Sequence, residues 1–328
     1  MLDSLLATGR PLLADGATGT NLFAMGLTSG ESPELWNETE RDKVFSLHRR
    51  FVEAGADIIL TNSFGANRRR LMLHGLEGRV RDLNRRAAEI AREAAERACR
   101  RAIVAGSVGP TGDLLAPLGP LGEEEAVDVF SEQIEGLKEG GADVVWIETM
   151  SAPEEMRAAA KAAAALGTPY TVTASFDTAG KTMMGLAPEA LADLTEDFEQ
   201  PPLAFGANCG VGASDLLVSI LAITEQRPHA IVIAKANAGV PQWHGAHIHY
   251  SGTPALMADY ARLAVDSGAR IVGGCCGATP DHLAAMRRAL DERTGGARPN
   301  EIEIIAALGP LASPPAKQAG RERERRRR

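Results

Sequence analysis

The feature that most constrains this chain is a set of short apolar segments that recurs from its start to beyond residue 270. Most of them are bounded by glycine, proline or polar turn residues. Continuous apolar runs of this length are typical of strands buried on both faces, as in a parallel sheet. The eight segments are Pro11–Gly16, Asp57–Phe64, Ile103–Pro110, Asp143–Met150, Tyr170–Asp177, Leu203–Gly210, Ala230–Gly239 and Arg270–Gly277.

Helical patterns rich in Ala, Leu, Glu and Arg lie between these segments. Examples are Lys43–Ala54, Leu71–Arg100, Glu123–Lys138, Glu154–Leu166, Ala213–Glu225, Pro254–Asp266 and Asp281–Arg293. Strands that alternate with helices over eight units predict an α/β protein of the (β/α)8 TIM-barrel class, which needs about 250 residues. A doubly wound open sheet is the alternative, but it offers no reason for eight units.

The pattern stops after about Gly295, and proline, alanine and charge replace it. We therefore expect the barrel to occupy residues 1–295 and a short C-terminal extension, a disordered basic tail, to occupy 296–328. The last eight residues, Arg321–Arg328, form the one basic block. Such runs are usually solvated ends, and the alternative is a docking tail for an acidic partner.

Charge and hydropathy restrict the partners of the chain. The net charge of −8 argues against a general nucleic-acid binder. No apolar run approaches the roughly 20 residues that span a bilayer, and the first ten residues lack the pattern of a secretory signal. We expect a cytoplasmic enzyme without a membrane partner, and a homo-oligomer is compatible with the sequence.

Polar and glycine-rich residues concentrate at the carboxyl ends of the predicted strands. In a barrel enzyme this end carries the active site, so seven such clusters indicate one shared site. The clusters are Asp15–Thr20, Thr61–Phe64, Gly109–Gly112, Glu148–Thr149, Asn208–Gly210, Asn237–Gly239 and Gly273–Gly277.

Three of the four cysteines fall in these clusters. Cys209 would end strand six, and Cys275 and Cys276 would end strand eight, whereas Cys99 lies in an Arg-rich helical pattern. Three thiolates bind Zn²⁺ and leave a fourth tetrahedral position for substrate. The alternatives are three buried cysteines or a vicinal Cys275–Cys276 disulfide, and His247 or His249 would be a fourth ligand of a structural zinc.

Two adjacent cysteines of a regular strand point to opposite faces. Both reach one metal only where the backbone leaves strand geometry, and Gly273, Gly274 and Gly277 make that departure inexpensive. A thiolate-rich site suits a thiol substrate, because zinc removes the proton from a coordinating thiol. Asp15 and Glu148 at the same mouth would then hold a substrate ammonium group, unless they serve as helix caps or rim salt bridges.

Five motifs resemble the homocysteine S-methyltransferase family, over about Arg10 to Arg293. The chain is similar both to betaine–homocysteine methyltransferases and to the homocysteine domain of cobalamin-dependent methionine synthase. The motifs are DGATGTNL (Asp15–Leu22), TNSFGAN (Thr61–Asn67), GANCG (Gly206–Gly210), NAGVP (Asn237–Pro241) and GGCCGATPDH (Gly273–His282).

The resemblance implies a TIM barrel with one catalytic zinc on Cys209, Cys275 and Cys276, and with homocysteine as the sulfur substrate. It also implies that Asp15 and Glu148 bind the homocysteine amino group. The Gly16 and Ser63 region would lie near the carboxylate, and Asn208 of the Asn-Cys motif belongs to the predicted substrate-binding set.

The methyl donor is less constrained by sequence. Betaine is a quaternary ammonium that an aromatic cage would bind, but Gly65 and Thr149 stand where betaine enzymes carry tyrosines. The NAGVP motif also resembles the methionine-synthase domain. We therefore expect a methylcobalamin-bearing corrinoid protein as donor. Betaine held by Trp36, Trp243 and Tyr250 is the next alternative, and S-methylmethionine follows.

Two interpretations from other functional classes remain as alternatives. A zinc or redox sensor would use Cys275–Cys276 oxidation to control an interaction, and would show no methyl transfer. A TIM-barrel lyase is weakened because Lys235 is the one lysine clearly placed at a predicted strand end.

Overall fold

The computed structural model of the protein describes residues 2–244 and 247–313, with only the backbone described at 241–244 and 247–249. Within these residues eight parallel strands form one sheet, and each predicted apolar segment overlaps one of them. The strands are β1 (Leu12–Leu13), β2 (Ile58–Leu60), β3 (Ile103–Val108), β4 (Val144–Met150), β5 (Tyr170–Ala174), β6 (Ala204–Cys209), β7 (Val232–Ala236) and β10 (Ala269–Gly274).

The sheet closes into a barrel, as the alternation predicted. Its strand order runs β1-β10-β7-β6-β5-β4-β3-β2, and a parallel bridge between Ala14 and Ile58 joins the two ends. The amide of Asp57 donates to the carbonyl of Leu13 across the same seam. The (β/α)8 TIM barrel is therefore confirmed.

The barrel interior is apolar at its amino end. Its side chains come from every second residue of a strand, as in the pairs Ile103/Ala105 and Val144/Trp146. Leu2 and Leu6 of the first helix, α1 (Leu2–Leu6), belong to the same cluster and close the bottom of the barrel. This apolar floor leaves the carboxyl end free for polar groups.

Helices cover the outside of the barrel. They are α2 (Thr18–Ala24), α3 (Trp36–Thr39), α4 (Arg41–Glu53), α5 (Arg68–Leu71), α6 (Val80–Arg97), α7 (Glu123–Glu139), α8 (Pro153–Ala165), α9 (Pro188–Glu196), α10 (Ala213–Gln226), α11 (Pro254–Asp266), α12 (Pro280–Asp291) and α13 (Glu301–Leu308). Their buried faces share one large apolar cluster with the outward-facing strand residues.

Three local predictions differ from the structure. The single helix predicted over Leu71–Arg100 begins as short 3-10 turns, because Gly75 adopts a φ of +67° and ends the first of them. Helix α9 was not predicted. The loop after β7 carries an antiparallel hairpin of β8 (Pro241–His244) and β9 (His247–Tyr250).

Between residues 296 and 313 the C-terminal extension contains helix α13, which the sequence did not predict. Helix α13 begins with a capping box of Asn300 and Glu303. After it, Asp215 at the start of α10 accepts the amides of Ala312 and Ser313 at 3.0 and 2.8 Å. The basic block at 321–328 lies outside the described residues, so its disorder stays a prediction.

No helix of the described residues is both long and apolar enough to cross a membrane.

Candidate metal centre and substrate site

The two-residue period of the strands carries polar side chains to the upper barrel interior. Residues 103 and 105 of β3 and 144 and 146 of β4 face the apolar floor, so Ser107 and Glu148 lie one step higher on the same face. The same spacing places Asn208 above Ala204, Lys235 above Ile233 and Cys275 above Ile271, as those three apolar residues all belong to the floor.

The backbone leaves strand geometry at each cysteine. Cys209 has a φ of +62°, although it is not a glycine, and this turns its side chain away from the alternation of β6. Strand β10 ends at Gly274, so Cys275 and Cys276 follow it in a turn. That turn is held because the Cys275 amide donates to Ala236 and the Cys276 carbonyl accepts from Ala238.

The glycines around the paired cysteines act by close packing. A Cβ at Gly274 would lie 2.3 Å from the Cβ of Ala278, and one at Gly277 would lie 2.3 Å from Cγ of Tyr250. Gly277 also has a φ of +79°, which favours glycine. Gly277 therefore provides the backbone conformation that the sequence analysis expected of these glycines. Gly274 instead leaves space for the Cβ atom of Ala278.

The three sulfur atoms lie together at the barrel mouth. All lie within 4.8 Å of one another, and the Sγ atoms of Cys209 and Cys276 are 3.9 Å apart. Tetrahedral ligands at a Zn–S distance of 2.3 Å would be about 3.8 Å apart, so this set fits a zinc ion with one position left. All four cysteines are free thiols, and the vicinal disulfide is not formed.

The Cys276 sulfur accepts hydrogen bonds from neighbouring side chains. Hydrogen bonds from Cys209 and Cys275 lower the pKa of Cys276 to about 3. Tyr250, at the end of β9, also donates to this sulfur. Burial, followed by the nearby Cys276, raises the pKa of the Tyr250 phenol, which therefore stays a donor.

Asn208 links the cluster to the neighbouring strands. Its Oδ1 accepts from the Thr149 amide at 2.8 Å and from Thr173 Oγ1 at 2.7 Å. Its Nδ2 donates to Thr149 Oγ1 at 2.7 Å and reaches the Sγ atom of Cys275 at 3.8 Å. Because the side chain is buried and engages protein groups on both sides, its position suits orientation of the site better than direct substrate contact.

Glu148 is a carboxyl group with little solvent contact. Its Oε1 accepts a 2.5 Å hydrogen bond from Ser107 Oγ. Burial raises the pKa of Glu148 to about 7, against the opposing effect of Lys235. A ligand cation beside it would favour the charged form, so this group is poised to bind an ammonium.

Asp15 is fully buried and already paired. Its Oδ1 accepts from Lys235 Nζ at 2.8 Å, and its Oδ2 accepts from the Leu60 amide at 2.7 Å. Burial raises the pKa of Asp15, and Lys235 opposes that shift. The lysine ammonium therefore stands where the sequence alone predicted the ammonium of a substrate.

A cavity of about 480 Å³ opens at the mouth and is lined by Gly16, Ser63, Glu148, Lys235 and the three cysteines, but not by Asp15 or Asn208. Gly16 is required there, because a Cβ would lie 2.5 Å from the Ala278 carbonyl oxygen. Ser63 Oγ donates to the carbonyl of Ser107 at 2.8 Å, which fixes it beside Glu148.

Other candidate residues lie away from the sulfur cluster, or their side chains are not among those that the structure describes. Cys99 is exposed just beyond the end of α6, and thus is not a helical residue. Trp36 is buried, and the Lys43 ammonium lies 4.5 Å from its ring centroid. The side chains of Trp243, His247 and His249 are outside the described residues.

Ser107, Thr149 and Lys235 are parts of the site to which the sequence reasoning gave no role, although Thr149 and Lys235 were placed at predicted strand ends. A signal existed for Ser107 and Lys235, because each lies two residues beyond an apolar interior position of its strand. No such signal marks Thr149, which has a φ of +63°. Its role depends on a contact with Asn208 that is distant in sequence.

Fold and site together define a (β/α)8 barrel with a three-cysteine cluster, able to hold a metal ion, beside a carboxylate in the mouth. A family model for homocysteine S-methyltransferase matches residues 12–290. The chain belongs to the homocysteine S-methyltransferase family.

Known proteins agree with this assignment. The methionine synthases of Mycobacterium leprae and Mycobacterium tuberculosis are each 30% identical over 306 and 297 residues, covering 88% and 86% of this chain. The chain spans about a quarter of their length, 25% in each case. The metallated homocysteine methyltransferase MmuM from Escherichia coli has a TM-score of 0.73 at 25% identity, covering 88% of this chain and 99% of that one.

Proposed function

We propose that the protein is a zinc-dependent homocysteine S-methyltransferase that forms methionine, with Cys209, Cys275 and Cys276 as the zinc ligands. The observation that carries the proposal is the cluster of three sulfur atoms on the wall of the same cavity as Glu148. Zinc bound there would lower the pKa of a coordinating substrate thiol and so supply a sulfur nucleophile at neutral pH.

The protein's own groups would orient the amino-acid end of homocysteine. The Glu148 carboxylate would hold the ammonium, since binding a cation restores the charge that burial disfavours. Gly16 and Ser63 would lie by the carboxylate, because both line the cavity. Asp15 would act through Lys235, which separates it from the cavity.

The test is zinc content together with methionine formation. We expect about one zinc per chain, lost on chelation together with activity. Alanine at Cys209, Cys275 or Cys276 should remove both, because two thiolates hold zinc far less tightly than three. The matched control is Cys99→Ala, which should keep both. Full activity of the metal-free protein would contradict the proposal.

For the methyl donor we propose a methylcobalamin-bearing partner protein. Apolar side chains that are 39–72% exposed lie on the segments following β1, β3, β5 and β7, all at the carboxyl end of the barrel: Phe23, Leu114, Leu118, Met183 and Val240. A rim of this kind fits a protein surface better than it fits solvent. A corrinoid protein covering the mouth would bury it.

An aromatic cage for betaine has less support. The Gly65 amide donates to Glu34 Oε1 at 2.7 Å, and a Cβ there would lie 2.8 Å from the same oxygen. A larger side chain at 65 would therefore displace Glu34. Trp36 is buried outside the cavity lining, so of the three cage residues expected from the sequence the described part of the chain places only Tyr250 in the lining, which also contains Phe23 and Phe64.

The donor experiment offers betaine, S-methylmethionine, free methylcobalamin and a methylated corrinoid protein separately to the zinc-loaded enzyme with homocysteine. We expect turnover with the corrinoid donor and poor turnover with betaine, because two missing cation–π contacts correspond to about one to three factors of ten in affinity. Efficient turnover with betaine, lost in Tyr250→Ala, would contradict the donor proposal and leave the zinc proposal intact.

A further inference from the structure

The cavity contains a buried cation that the cysteine cluster does not explain. Lys235 rises from the inward face of β7, with only 2% of its side chain exposed. Its stem passes beside Gly273, where a Cβ would lie 3.0 Å from Lys235 Cγ, and over Trp146, whose ring centroid is 5.7 Å from Nζ. The neighbouring strand is thus shaped around this lysine.

The ammonium of Lys235 has donor capacity to spare. An ammonium carries three N–H donors, and Asp15 Oδ1, at 2.8 Å, is its one hydrogen-bond acceptor among the described residues. Asp15 lies behind it and does not line the cavity, whereas Lys235 does. The remaining donors are therefore available to a ligand in the cavity.

The charge of this lysine is secure. Burial lowers the pKa of Lys235, but the carboxylates of Asp15 and Glu148 outweigh that effect and raise it. A buried ammonium that lacks enough acceptors is costly, so an anionic ligand group beside it is favoured. The cavity then offers one anion, Glu148, and one cation, Lys235, which matches the two charges of an amino-acid zwitterion.

We propose that Lys235 is a specificity-determining residue that binds the carboxylate of the thiol amino-acid substrate, beside Gly16, while Glu148 binds its ammonium. Gly16 follows Asp15 directly in sequence, so the Lys235–Asp15 pair lies next to the predicted carboxylate region. The inference rests on the proposed function for the identity of the substrate. It makes this subsite selective for thiols that carry a carboxylate.

The experiment measures binding of three thiols to zinc-loaded protein by calorimetry, so that no methyl donor is needed. The thiols are homocysteine, aminopropanethiol (homocysteine without its carboxylate) and mercaptobutyrate (homocysteine without its amino group). The variants are Lys235→Met, which keeps the stem and removes the charge, and Glu148→Gln. The matched control is Lys161→Met, at an exposed lysine on α8.

We expect Lys235→Met to weaken binding of homocysteine and mercaptobutyrate about 10- to 100-fold, because a hydrogen bond to a charged group is lost. Binding of aminopropanethiol should change less than about two-fold, since it has no carboxylate to lose. Glu148→Gln should show the opposite selectivity, weakening aminopropanethiol and sparing mercaptobutyrate. Lys161→Met should bind all three thiols as the wild type does.

Equal weakening of homocysteine and aminopropanethiol by Lys235→Met would overturn the inference, because the lysine would then act only by supporting Asp15. Should the single variant not fold, the double variant Asp15→Asn/Lys235→Met removes both buried charges and is compared in the same way. Failure of the proposed function would be separate, appearing as wild-type protein that binds homocysteine but forms no methionine with any donor.

Discussion

At the scale of single residues, the site depends on two backbone conformations that residues other than glycine rarely adopt. Thr149 and Cys209 have φ values of +63° and +62°, at the ends of β4 and β6. Such positions cost about 1–3 kcal/mol each and persist only where the surroundings fix them. Asn208 supplies that restraint, because it precedes Cys209 and holds both the amide and the hydroxyl of Thr149.

The first prediction therefore concerns Asn208→Ala. Loss of the amide removes the restraint on Thr149, next to Glu148, and the contact with the Cys275 sulfur. We expect zinc affinity to fall about 10- to 100-fold, as is usual when a group supporting a metal ligand is removed. Zinc affinity is measured by competition with a chromophoric chelator, and the free energy of unfolding by urea titration.

The matched control is Asn84→Ala in α6, which removes another buried amide whose Nδ2 donates to the carbonyls of Ala66 and Val80. That variant should lose stability but keep the zinc affinity of the wild type. If Asn208→Ala were likewise destabilised without any change in zinc affinity, Asn208 would be an ordinary structural residue.

At the scale of elements, helix α4 carries a histidine that makes the fold sensitive to acid. His48 is fully buried, and within the described residues neither ring nitrogen has a hydrogen-bond partner. Burial lowers the pKa of His48 to about 4. The folded state therefore keeps this imidazole neutral at pH values at which the unfolded chain, with a pKa near 6.5, is protonated.

The second prediction follows from that difference in proton binding. The contribution of neutral His48 to the free energy of unfolding is fully present above pH 6.5. It is lost as the pH falls towards 4, because the unfolded state takes up the proton first. Between pH 7 and pH 5 this one group should lower the free energy of unfolding by about 2 kcal/mol. His48→Leu should remove that part of the pH dependence, as measured by urea unfolding at both pH values.

The exposed His74 provides the control, since His74→Leu should leave the pH dependence of the wild type unchanged. An identical loss of stability between pH 7 and pH 5 in His48→Leu and in the wild type would show that other groups cause the acid sensitivity.

The C-terminal extension is a second element with a consequence for the site. Its contacts with Asp215 join it to α10, which starts four residues after Cys209. Ser214 Oγ also donates to the carbonyl of Gly309 at 2.7 Å, and Ser313 Oγ accepts from the Ala179 amide at 2.8 Å. The extension thus connects the loop after β5 to the first turn of α10, a few residues beyond Cys209.

The third prediction is that Asp215→Ala releases this segment. Loss of two hydrogen bonds to a charged group should accelerate amide hydrogen exchange across residues 301–313 about 10- to 100-fold. Zinc affinity should fall by a smaller factor, because the Cys209 loop loses one of its supports. Asp193→Ala, at a carboxylate of α9 paired with Arg227, should change neither quantity. Unchanged exchange over 301–313 in Asp215→Ala would contradict this view of the extension.

The sequence predicted the strands better than it predicted the helices and the hairpin. All eight strands were predicted, because a strand buried on both faces must be a continuous apolar run. Helix α9 and the β8–β9 hairpin were missed, since they lie in the long connections after β5 and β7 and lack such a run. Helix α13 was missed as well, because the prolines and charges after Gly295 were taken as the end of the pattern, although Glu301–Leu308 is itself largely apolar.

The clustering of the three cysteines was predictable from the sequence, but their surroundings were less so. Cys209, Cys275 and Cys276 were identified because strand ends converge at a barrel mouth. That Asp15 pairs with Lys235 was not predicted, since it depends on two side chains 220 residues apart. The motifs thus led to the three sulfur atoms at the mouth, whereas Asp15 and Asn208 lie behind the cavity lining and their partners required the structure.

At the scale of the whole molecule, the barrel separates stability from chemistry. The amino end of the barrel interior and the layer between the strands and the helices are apolar and closed. The carboxyl end holds the sulfur cluster, the Glu148 carboxyl group and the Lys235–Asp15 pair around one open cavity. This division is general for the fold, in which loops at one end carry the function. Above all, we propose that the three sulfur atoms leave one coordination position of the zinc ion for the sulfur of homocysteine.

X-ray absorption at the zinc edge tests this claim most directly. For the zinc-loaded protein we predict three sulfur neighbours and one lighter atom, and four sulfur neighbours after homocysteine is added. Methionine, whose thioether is a poorer ligand, should leave the spectrum unchanged. A zinc environment that does not change at saturating homocysteine would contradict the account and make the metal a purely structural one.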